Sequence, residues 1–409
     1  MPPIVPIENL KREISLLADQ CVKCGLCSAK CPTYKLHADE NESPRGRIAL
    51  AQAVANDSIQ SFDRIKHHLD NCLYCAQCET ACPSGVKYTR IVDLTLNALK
   101  HSPNGLKTSQ LELWGIRFIS KQTENSWPLL IKTWTLLSPI INRYLFRKLK
   151  IKPSIVNKKR HEPTIINHQP PFATKGSLSI FTGCTSHIFD QRTLADSMDL
   201  LRHCGYALNV SKRQGCCGAL AKHRGYSDLA NNCEIRNTQA FGESSTAPII
   251  FSATGCGAAL QQYDSSLSQR SIDINTFAKE QLDFNKLSFN PLNKKILIHS
   301  PCSQQKTIAK NKTIEALLLN IPGIEILQSD QYNSCCGAGG THFVRSPDTA
   351  AKIRDPLINR TIKHAPDYVV SSNYSCAMHI ATGLSEKNMD IPVIHPISLL
   401  WQQLDKNNV

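Results

Sequence analysis

Two short segments of this chain carry four cysteines each at the same spacing. The first reads CVKCGLCSAKCP and the second CLYCAQCETACP, with proline after the fourth cysteine in both. The spacing C-x2-C-x2-C-x3-C-P is typical of bacterial ferredoxins that bind [4Fe–4S] clusters. Three thiolates two residues apart surround one face of a cubane, and the fourth points toward a second cluster. The pattern therefore predicts two [4Fe–4S] clusters.

The same spacing predicts that the two motifs exchange their fourth ligand. One cluster is then held by Cys21, Cys24, Cys27 and Cys82, and the other by Cys31, Cys72, Cys75 and Cys78. Disulfide bonds are one alternative, but the N-terminal segment MPPIVPIENLKREI has no apolar stretch of a secretory signal, so we expect a cytoplasmic protein. Zinc is another, but structural zinc usually takes paired C-x2–4-C motifs instead.

The composition suits metal and redox chemistry better than binding of nucleic acid. The chain has 409 residues, 18 cysteines and a formal net charge of +14. A positive charge of this size could attract nucleic acid or an anionic membrane. However, the lysines and arginines lie in short groups without interleaved aromatic residues, and no nucleic-acid-binding motif occurs. We therefore expect a solvated or membrane-facing basic surface and no nucleic-acid partner.

Helices are predicted to hold the cysteine motifs. Apolar residues recur at helical spacing in residues 1–20, and Ser43-Pro44 before RGRIALAQAVA is a helix start. The most apolar segment, residues 127–146, contains Lys132 and Arg143, which favour a packed amphipathic helix over a membrane span. An interfacial contact with a membrane or a partner is the alternative for this segment. The proline-rich and basic residues 151–177 are predicted to form a linker.

The C-terminal half contains the same arrangement of strands and cysteines twice. The first copy reads SLSIFTGC, QGCCG and PIIFSATGC, and the second KKILIHSPC, NSCCG and DYVVSSNYSC, with nearly equal distances between cysteines. Such repetition indicates a duplicated unit, and strands alternating with helices predict parallel sheets. Because sites in open α/β folds lie at the carboxyl ends of strands, each copy's cysteines should converge. The candidate metal or redox ligands are Cys184, Cys216, Cys217 and Cys256, and Cys302, Cys335, Cys336 and Cys376.

Adjacent cysteines such as Cys335 and Cys336 seldom form a disulfide with each other, which favours their use as ligands. The alternative is that all eight cysteines of the copies only pack a duplicated core. The predicted fold class is thus α + α/β, a helical two-cluster ferredoxin domain followed by a duplicated α/β cysteine-rich (CCG) region. The predicted boundaries are residues 1–110 for the ferredoxin domain, 111–177 for a helical segment and linker, and 178–285 and 286–409 for the two repeats.

The order of these motifs resembles that of the glycolate oxidase iron–sulfur subunit family over nearly the whole chain. Further short segments that resemble this family are CPTYKL, SPRGRI, HLDNCLYC, CPSGVKY, ATGCGA, HSPCSQQ and CCGAGGTH. The resemblance implies an electron-transfer subunit of a complex that oxidises glycolate to glyoxylate. FAD on flavoprotein partner subunits would take the hydride, and this subunit would pass single electrons to a downstream acceptor such as a quinone. Peripheral attachment to the inner face of the cytoplasmic membrane is compatible with this role.

The sequence agrees that hydride chemistry belongs to a partner, because it has no G-x-G-x-x-G fingerprint and no constellation of catalytic residues. It departs from related heterodisulfide reductase subunits, whose repeats end in C-x-x-C. Here Ala259 and His379 stand at those positions, which argues against a full five-cysteine cluster. The remaining cysteines with His379 are candidate ligands for a metal. Other interpretations are an electron-transfer subunit of a D-lactate or anaerobic glycerol-3-phosphate dehydrogenase, or a zinc-stabilised scaffold without redox activity.

Overall fold

The computed structural model describes residues 6–59, 61–102, 110–126, 175–184, 186–307, 312–327 and 335–406. The chain forms two compact units, and both are discontinuous in sequence. Unit 1 comprises Met1–Lys121, Gly218–Cys233 and Gly337–Ile353, and unit 2 comprises Gln122–Cys217, Glu234–Cys336 and Arg354–Val409. The four-part division proposed from the sequence stays a prediction.

The N-terminal part of unit 1 is helical, as predicted. Its short 3-10 turns are Ser28–Lys30 and Glu40–Glu42, and its helices are α1 (Ile7–Ala18), α2 (Pro32–His37), α3 (Pro44–Ala55), α4 (Phe62–Asp70), α5 (Gln77–Thr80), α6 (Tyr88–His101) and α7 (Gln110–Lys121). The start of α3 follows from its sequence, because the Ser43 hydroxyl accepts a hydrogen bond from the Gly46 amide and Pro44 occupies the first turn. Apolar faces of α1, α3 and α6 form the core, with Ile14, Ala51 and Leu99 fully buried.

The first repeat contains one parallel sheet in the strand order β2-β1-β3-β4. Its strands are β1 (Ser177–Phe181), β2 (Ala207–Asn209), β3 (Ile249–Phe251) and β4 (Ser271–Asp273). The helices between and after them are α8 (Ser186–Phe189), α9 (Gln191–His203), α10 (Ala219–His223), α11 (Ser227–Phe241), α12 (Thr254–Leu260), α13 (Leu267–Arg270) and α14 (Ile274–Gln281). A 3-10 turn, Glu124–Ser126, precedes the sheet, and another, Phe284–Lys286, follows α14.

The second repeat has the same topology, with a parallel sheet in the order β6-β5-β7-β8. Its strands are β5 (Lys295–His299), β6 (Glu325–Leu327), β7 (Tyr368–Ser371) and β8 (Val393–Ile394). Its helices are α15 (Gln304–Thr307), α16 (Thr313–Leu318), α17 (His342–Arg345), α18 (Pro347–His364), α19 (Tyr374–Glu386) and α20 (Pro396–Gln403). Two sheets with one strand order confirm the duplication inferred from the sequence.

The two repeats share one apolar core within unit 2. Ile180 of β1, Ile298 of β5 and Leu400 of α20 belong to the same buried cluster. Polar contacts also join the repeats where their strands end, since His395 Nε2 lies 3.1 Å from the carbonyl oxygen of Ser252. The repeats therefore form one packed body rather than two independent domains.

Part of each repeat belongs to unit 1 instead. Helix α10 and the start of α11 lie in one such segment, and α17 and the start of α18 lie in the other. The packing is close, because a Cβ atom at Gly225 would come within 2.8 Å of the Leu96 carbonyl in α6. Gly225 also has φ +69°, so two independent constraints favour glycine there.

The apolar segment 127–146 and nearly all of the predicted linker lie outside the described residues. Within the described ranges, no helix combines the length and the apolar character needed to cross a membrane.

Replacing Gly46 by alanine should destabilise unit 1, because the added Cβ would lie 1.9 Å from the Glu40 carbonyl oxygen, a backbone atom that cannot easily move. Overpacking of this kind costs about 1–3 kcal/mol. Gly115→Ala in α7 is the matched control, since nothing lies within 4 Å of its Cβ and alanine favours a helix by about 0.5–1 kcal/mol. Anaerobic urea unfolding followed by circular dichroism measures both; equal midpoints would contradict the expectation.

Candidate metal centres

Two cavities in unit 1 separate the eight N-terminal cysteines into the two crossed sets. The first cavity is lined by Cys21, Cys24, Cys27 and Cys82, and the second by Cys31, Cys72, Cys75 and Cys78. Cys78 also reaches the wall of the first cavity, so the two lie side by side. Four sulfur donors around each cavity form the donor set that a [4Fe–4S] cluster requires. The residues present therefore fit this group.

The two cysteine loops adopt the same backbone conformation. The second residue after the first cysteine has positive φ in both loops, +57° at Lys23 and +52° at Tyr74. The fourth residue does as well, +83° at Gly25 and +55° at Ala76. The equal spacing of the cysteines thus gives equal loop geometry.

A buried ion pair stands beside the second cavity. Arg47 and Glu42 are 1% and 4% exposed, and their side chains are joined at 2.5 Å. The other carboxylate oxygen of Glu42 lies 2.8 Å from His68 Nδ1 and accepts a bond from Asn71. Arg47 also donates to the Thr33 hydroxyl and to the His68 carbonyl. This network joins residues next to Cys31 to residues next to Cys72.

Arg45 and Arg47 serve different cavities, although they lie two residues apart in SPRGRI. Arg47 lines the second cavity, whereas Arg45 lines the first and donates weakly to the Lys23 carbonyl at 3.4 Å. The Arg45 side chain is 35% exposed and pairs with Glu40, so water screens its charge more. A buried cation therefore lies beside one cavity and a solvated cation beside the other.

Hydrogen bonds and burial have opposite effects on the pKa of the Cys72 thiol. The Tyr88 hydroxyl donates to its sulfur at 3.5 Å, and the Tyr74 amide donates at 3.4 Å. Burial raises the pKa of Cys72, and the charge of Arg47 acts in the opposite direction. Burial also raises the pKa of Cys78. A thiolate at either position needs a nearby positive charge, which a bound metal centre would supply.

The loop of the second motif packs against Gly218–Cys233 and Gly337–Ile353, the segments that follow the two Cys-Cys pairs of the repeats. Tyr74 stacks on His223 with ring centroids 4.0 Å apart and donates to the His223 carbonyl. A Cβ atom at Gly339 would come within 2.6 Å of the Leu73 side chain. Both segments thus pack on residues between Cys72 and Cys75.

The carboxylate of Asp70, two residues before Cys72, binds cations from three parts of the chain. It forms ion pairs with Lys66, Arg224 and Arg345. Although burial alone would raise the pKa of Asp70, these three cations hold it below its usual value. The words HLDNCLYC and CCGAGGTH contain Asp70 and Gly339, but nothing in the sequence indicates that these segments meet.

In the first repeat, three of the four candidate cysteines approach one another. Contact with Cys217, burial and the nearby Cys184 raise the pKa of Cys256. Cys216, which precedes Cys217 in the sequence, is also buried, and the Asn237 side-chain amide donates a hydrogen bond to its carbonyl. Cys184 follows β1 and Cys256 lies in α12 just after β3, so both stand at the carboxyl ends of the central strands.

In the second repeat, the four candidate cysteines also gather near the ends of β5 and β7. The sulfurs of Cys336 and Cys376 lie 2.7 Å apart, and both residues are buried. Contact with Cys336, burial and the nearby Cys302 and Cys335 raise the pKa of Cys376. All 18 cysteines fall within the described residues, and none of them forms a disulfide bond.

The two histidines of the second repeat take different positions. His379, which follows Cys376 by three residues, directs Nδ1 to the Cys336 carbonyl at 2.6 Å. His299, the last residue of β5, places a ring nitrogen within 4.8 Å of the sulfurs of Cys336 and Cys376. The Ser371 hydroxyl lies 3.1 Å from His299 Nδ1, and burial lowers the pKa of His299 to about 4. The sequence places both histidines near these cysteines, and the structure brings a ring nitrogen of His299 close to the sulfurs.

Comparison with known proteins identifies the same parts of the chain. Residues 17–86 match the 4Fe-4S dicluster domain family, and residues 178–261 and 296–381 each match the cysteine-rich domain family. The dicluster match spans both N-terminal motifs, and the two cysteine-rich matches contain all eight candidate cysteines of the repeats.

Some relatives are similar over nearly the whole chain, and others over part of it. The glycolate oxidase iron–sulfur subunit of Escherichia coli (strain K12) is 27% identical over 405 residues, which are 94% of each chain. The probable glycolate oxidase iron–sulfur subunit of Bacillus subtilis (strain 168) is 26% identical over 93% of each chain. Lactate utilization protein A of Macrococcus caseolyticus (strain JCSC5402) is 24% identical over 56% of this chain and 97% of its own length.

Removing the charge of Arg47 should lower the reduction potential of a cluster in the second cavity. The reduced cluster carries one more negative charge, which the buried guanidinium stabilises. For Arg47→Gln we expect a decrease of roughly 50–100 mV, or about 1–2 kcal/mol at an effective dielectric constant of ~20. Arg45→Gln is the matched variant and should shift a cluster in the first cavity by less, because Arg45 is partly exposed. Redox titration monitored by electron paramagnetic resonance measures both, and a larger shift from Arg45 would contradict this charge assignment.

Proposed function

We propose, from its membership of the iron–sulfur proteins that join a 4Fe-4S dicluster domain to two cysteine-rich domains, that this chain carries electrons from glycolate oxidation within a flavin-containing complex. That it is an iron–sulfur electron-transfer subunit of an oxidoreductase follows from the domains and from the relatives. The coupling to glycolate and glyoxylate is the finer part of the proposal, and it rests on the names of two relatives that are similar over nearly the whole chain.

One observation carries the relay proposal: each of two adjacent cavities contains one crossed set of four cysteines in its lining, and Cys78 lines both. We assign Cys21, Cys24, Cys27 and Cys82 to one [4Fe–4S] cluster, and Cys31, Cys72, Cys75 and Cys78 to the other. Bound clusters supply single-electron chemistry without proton transfer. Because Cys78 lines both cavities, two centres held there would be close neighbours.

The chain's own residues prepare these cavities for a change of charge. Arg47 holds a fixed positive charge beside the second cavity, and the Glu42 network prevents its side chain from moving toward water. Tyr88 and the Tyr74 amide donate hydrogen bonds to Cys72. Donors of this kind stabilise the more negative state of a centre and need little rearrangement when an electron arrives.

Hydride chemistry belongs to a partner in this proposal. Oxidation of glycolate to glyoxylate releases two electrons and two protons, and the sequence offers no nucleotide-binding fingerprint for a flavin. Flavoprotein subunits with FAD would take the electron pair and release single electrons to this chain. A quinone or a similar acceptor would receive them downstream.

Peripheral attachment to the inner face of the cytoplasmic membrane is part of the same proposal. The supporting observation is an apolar stripe on α7 formed by Leu111, Trp114 and Phe118, which are 78%, 64% and 39% exposed. The rings of Trp114 and Phe118 stack with centroids 5.5 Å apart. Apolar residues at this spacing on an exposed helix face suit an interface with lipid or with a partner subunit.

A second candidate function keeps the electron relay but assumes that the complex oxidises a different hydroxy acid. The similarity to a lactate utilization protein covers 56% of this chain. An electron-transfer subunit of a D-lactate-oxidising complex would use the same cysteines, because the partner subunit selects the hydroxy acid. The relay and the substrate are therefore tested separately.

Exchange of the fourth ligand predicts that Cys31→Ser damages the cluster held by the second motif. Cys31 lines the cavity of Cys72, Cys75 and Cys78, so its loss removes one of four ligands there. Two matched variants mark the clusters: Cys24→Ser affects only the first, and Cys75→Ser only the second. The resonance spectrum of reduced Cys31→Ser should therefore match that of Cys75→Ser. A match with Cys24→Ser would mean that each motif binds its cluster alone.

The purified single chain should give no dye reduction with glycolate, because it lacks a hydride acceptor. The complex with its flavoprotein partners should oxidise glycolate, with a kcat/KM at least about tenfold above that for D-lactate, which is within the discrimination that one extra methyl group allows. Measuring both substrates with an artificial dye, and iron content in parallel, separates the two parts of the proposal. Preference for D-lactate with full cluster content would keep the relay and replace the substrate; turnover by the single chain would overturn the division of labour.

A further inference from the structure

We propose that the second repeat holds a single zinc-type divalent metal ion through His299, Cys336 and Cys376, and that the first repeat lacks this site. Among the described residues, these three form the group whose ligand atoms all lie within 4.8 Å of one another, and all three are buried. The site is separate from the N-terminal cavities. It deepens the proposed function by assigning one repeat a metal centre, and it holds whichever hydroxy acid the complex oxidises.

Strand register explains why the two repeats differ. In the second sheet His299 at the end of β5 pairs with Ser371 at the end of β7. In the first sheet the equivalent pair, at the ends of β1 and β3, is Phe181 and Phe251. The same position therefore carries an imidazole with a hydroxyl partner in one repeat and two phenyl rings in the other.

The two phenyl rings occupy the corresponding space of the first repeat. A Cβ atom at Gly183 would lie 3.3 Å from the Phe181 ring and 3.8 Å from the sulfur of Cys256. A Cβ atom at Gly257, the residue after Cys256, would lie 2.0 Å from the Phe251 ring. An apolar ring cannot donate a lone pair to a metal, so the first repeat has thiols without the nitrogen ligand.

The donor set and its spacing favour one ion over a cluster. Zinc binds thiolate sulfur at about 2.3 Å and imidazole nitrogen at about 2.0–2.1 Å in a tetrahedron, which places ligand atoms roughly 3.5–4 Å from one another. Three donors that converge within 4.8 Å can reach such an ion with small movements. Two sulfurs and one nitrogen form a borderline-soft set that suits zinc better than a hard cation. Cys302 and Cys335, both near Cys376, are available for the fourth position.

Ser371 acts as the positioning residue for His299. Its hydroxyl lies 3.1 Å from Nδ1, which leaves Nε2 as the ring nitrogen that can bind the metal. Partners of this kind set the tautomer and the ring orientation of a ligand, and losing one typically weakens metal binding by about 10–100-fold. His379 stays outside the donor set in this scheme, because its Nδ1 pairs with the Cys336 carbonyl.

The test uses the full chain, purified without oxygen from cells supplied with iron and zinc. We expect about one zinc per chain beside about eight iron atoms of two cubanes, and a zinc absorption-edge spectrum with both nitrogen and sulfur ligands. His299→Phe, which copies the first repeat, should lower zinc content at least about tenfold with unchanged cluster signals. Ser371→Ala should weaken zinc affinity about 10–100-fold in competition with a chelator.

Cys217→Ala is the matched control, since Cys217 is the counterpart of Cys336 in the first repeat, and it should keep the zinc. An all-sulfur zinc spectrum of the unchanged protein would overturn the role of His299 even if His299→Phe fails to fold. Unchanged zinc in His299→Phe would do the same. Extra iron and acid-labile sulfide in place of zinc would overturn the single-ion site. If the protein without substitutions showed neither N-terminal cluster signal, the relay would be contradicted and the zinc site would not. The two proposals therefore fail separately.

Discussion

The buried ion pair between Arg47 and Glu42 is the interaction on which the arrangement of the N-terminal cysteines depends. Glu42 accepts hydrogen bonds on its carboxylate and on its carbonyl, and its partners include Thr33, just after the first motif, and Asn71, just before the second. Removing one member of a buried pair costs about 3–5 kcal/mol, because the other charge is left without compensation. The forty residues between the motifs therefore do more than connect them. They contain the pair that brings Cys31 to the cavity of the second motif.

The sequence predicted the parts of the site that depend on local spacing. The cysteine loops follow from residues a few positions apart, and the duplication follows from equal intervals and apolar strands, so helices and parallel sheets could be expected. The crossed ligand sets stay a prediction. The partners of Asp70 could not, because Arg224 and Arg345 reach it from more than 150 positions away. Both His299 and His379 lie near cysteines of the second copy in the sequence, but only the folded structure shows which imidazole faces the sulfurs. Periodicity predicts elements; it does not predict which distant elements meet.

The shared core restricts which positions of the two repeats can differ. Because Ile180 and Ile298 are buried in one cluster, packing in one copy supports the other. The residues at the strand ends are outside this requirement, and there the copies differ, with phenylalanine pairs in one and histidine with serine in the other. Cys184, Cys216 and Cys217 of the first copy are buried, and the buried Phe181 occupies the position that corresponds to His299. The duplicated region therefore has two similar sheets, and in the second repeat a nitrogen donor, His299, lies close to two thiols.

The discontinuity of unit 1 has a consequence for the order of events during synthesis. Both cysteine motifs are complete once Cys82 has been made, but the segments that pack on Tyr74, Leu73 and Asp70 end only at Ile353. A ribosome that adds about 5–20 residues per second needs some tens of seconds to reach that point. Until the later of these segments has been made, the loop from Cys72 to Cys75 lacks part of its outer cover. The nascent chain therefore offers iron delivery an open face that the finished protein closes.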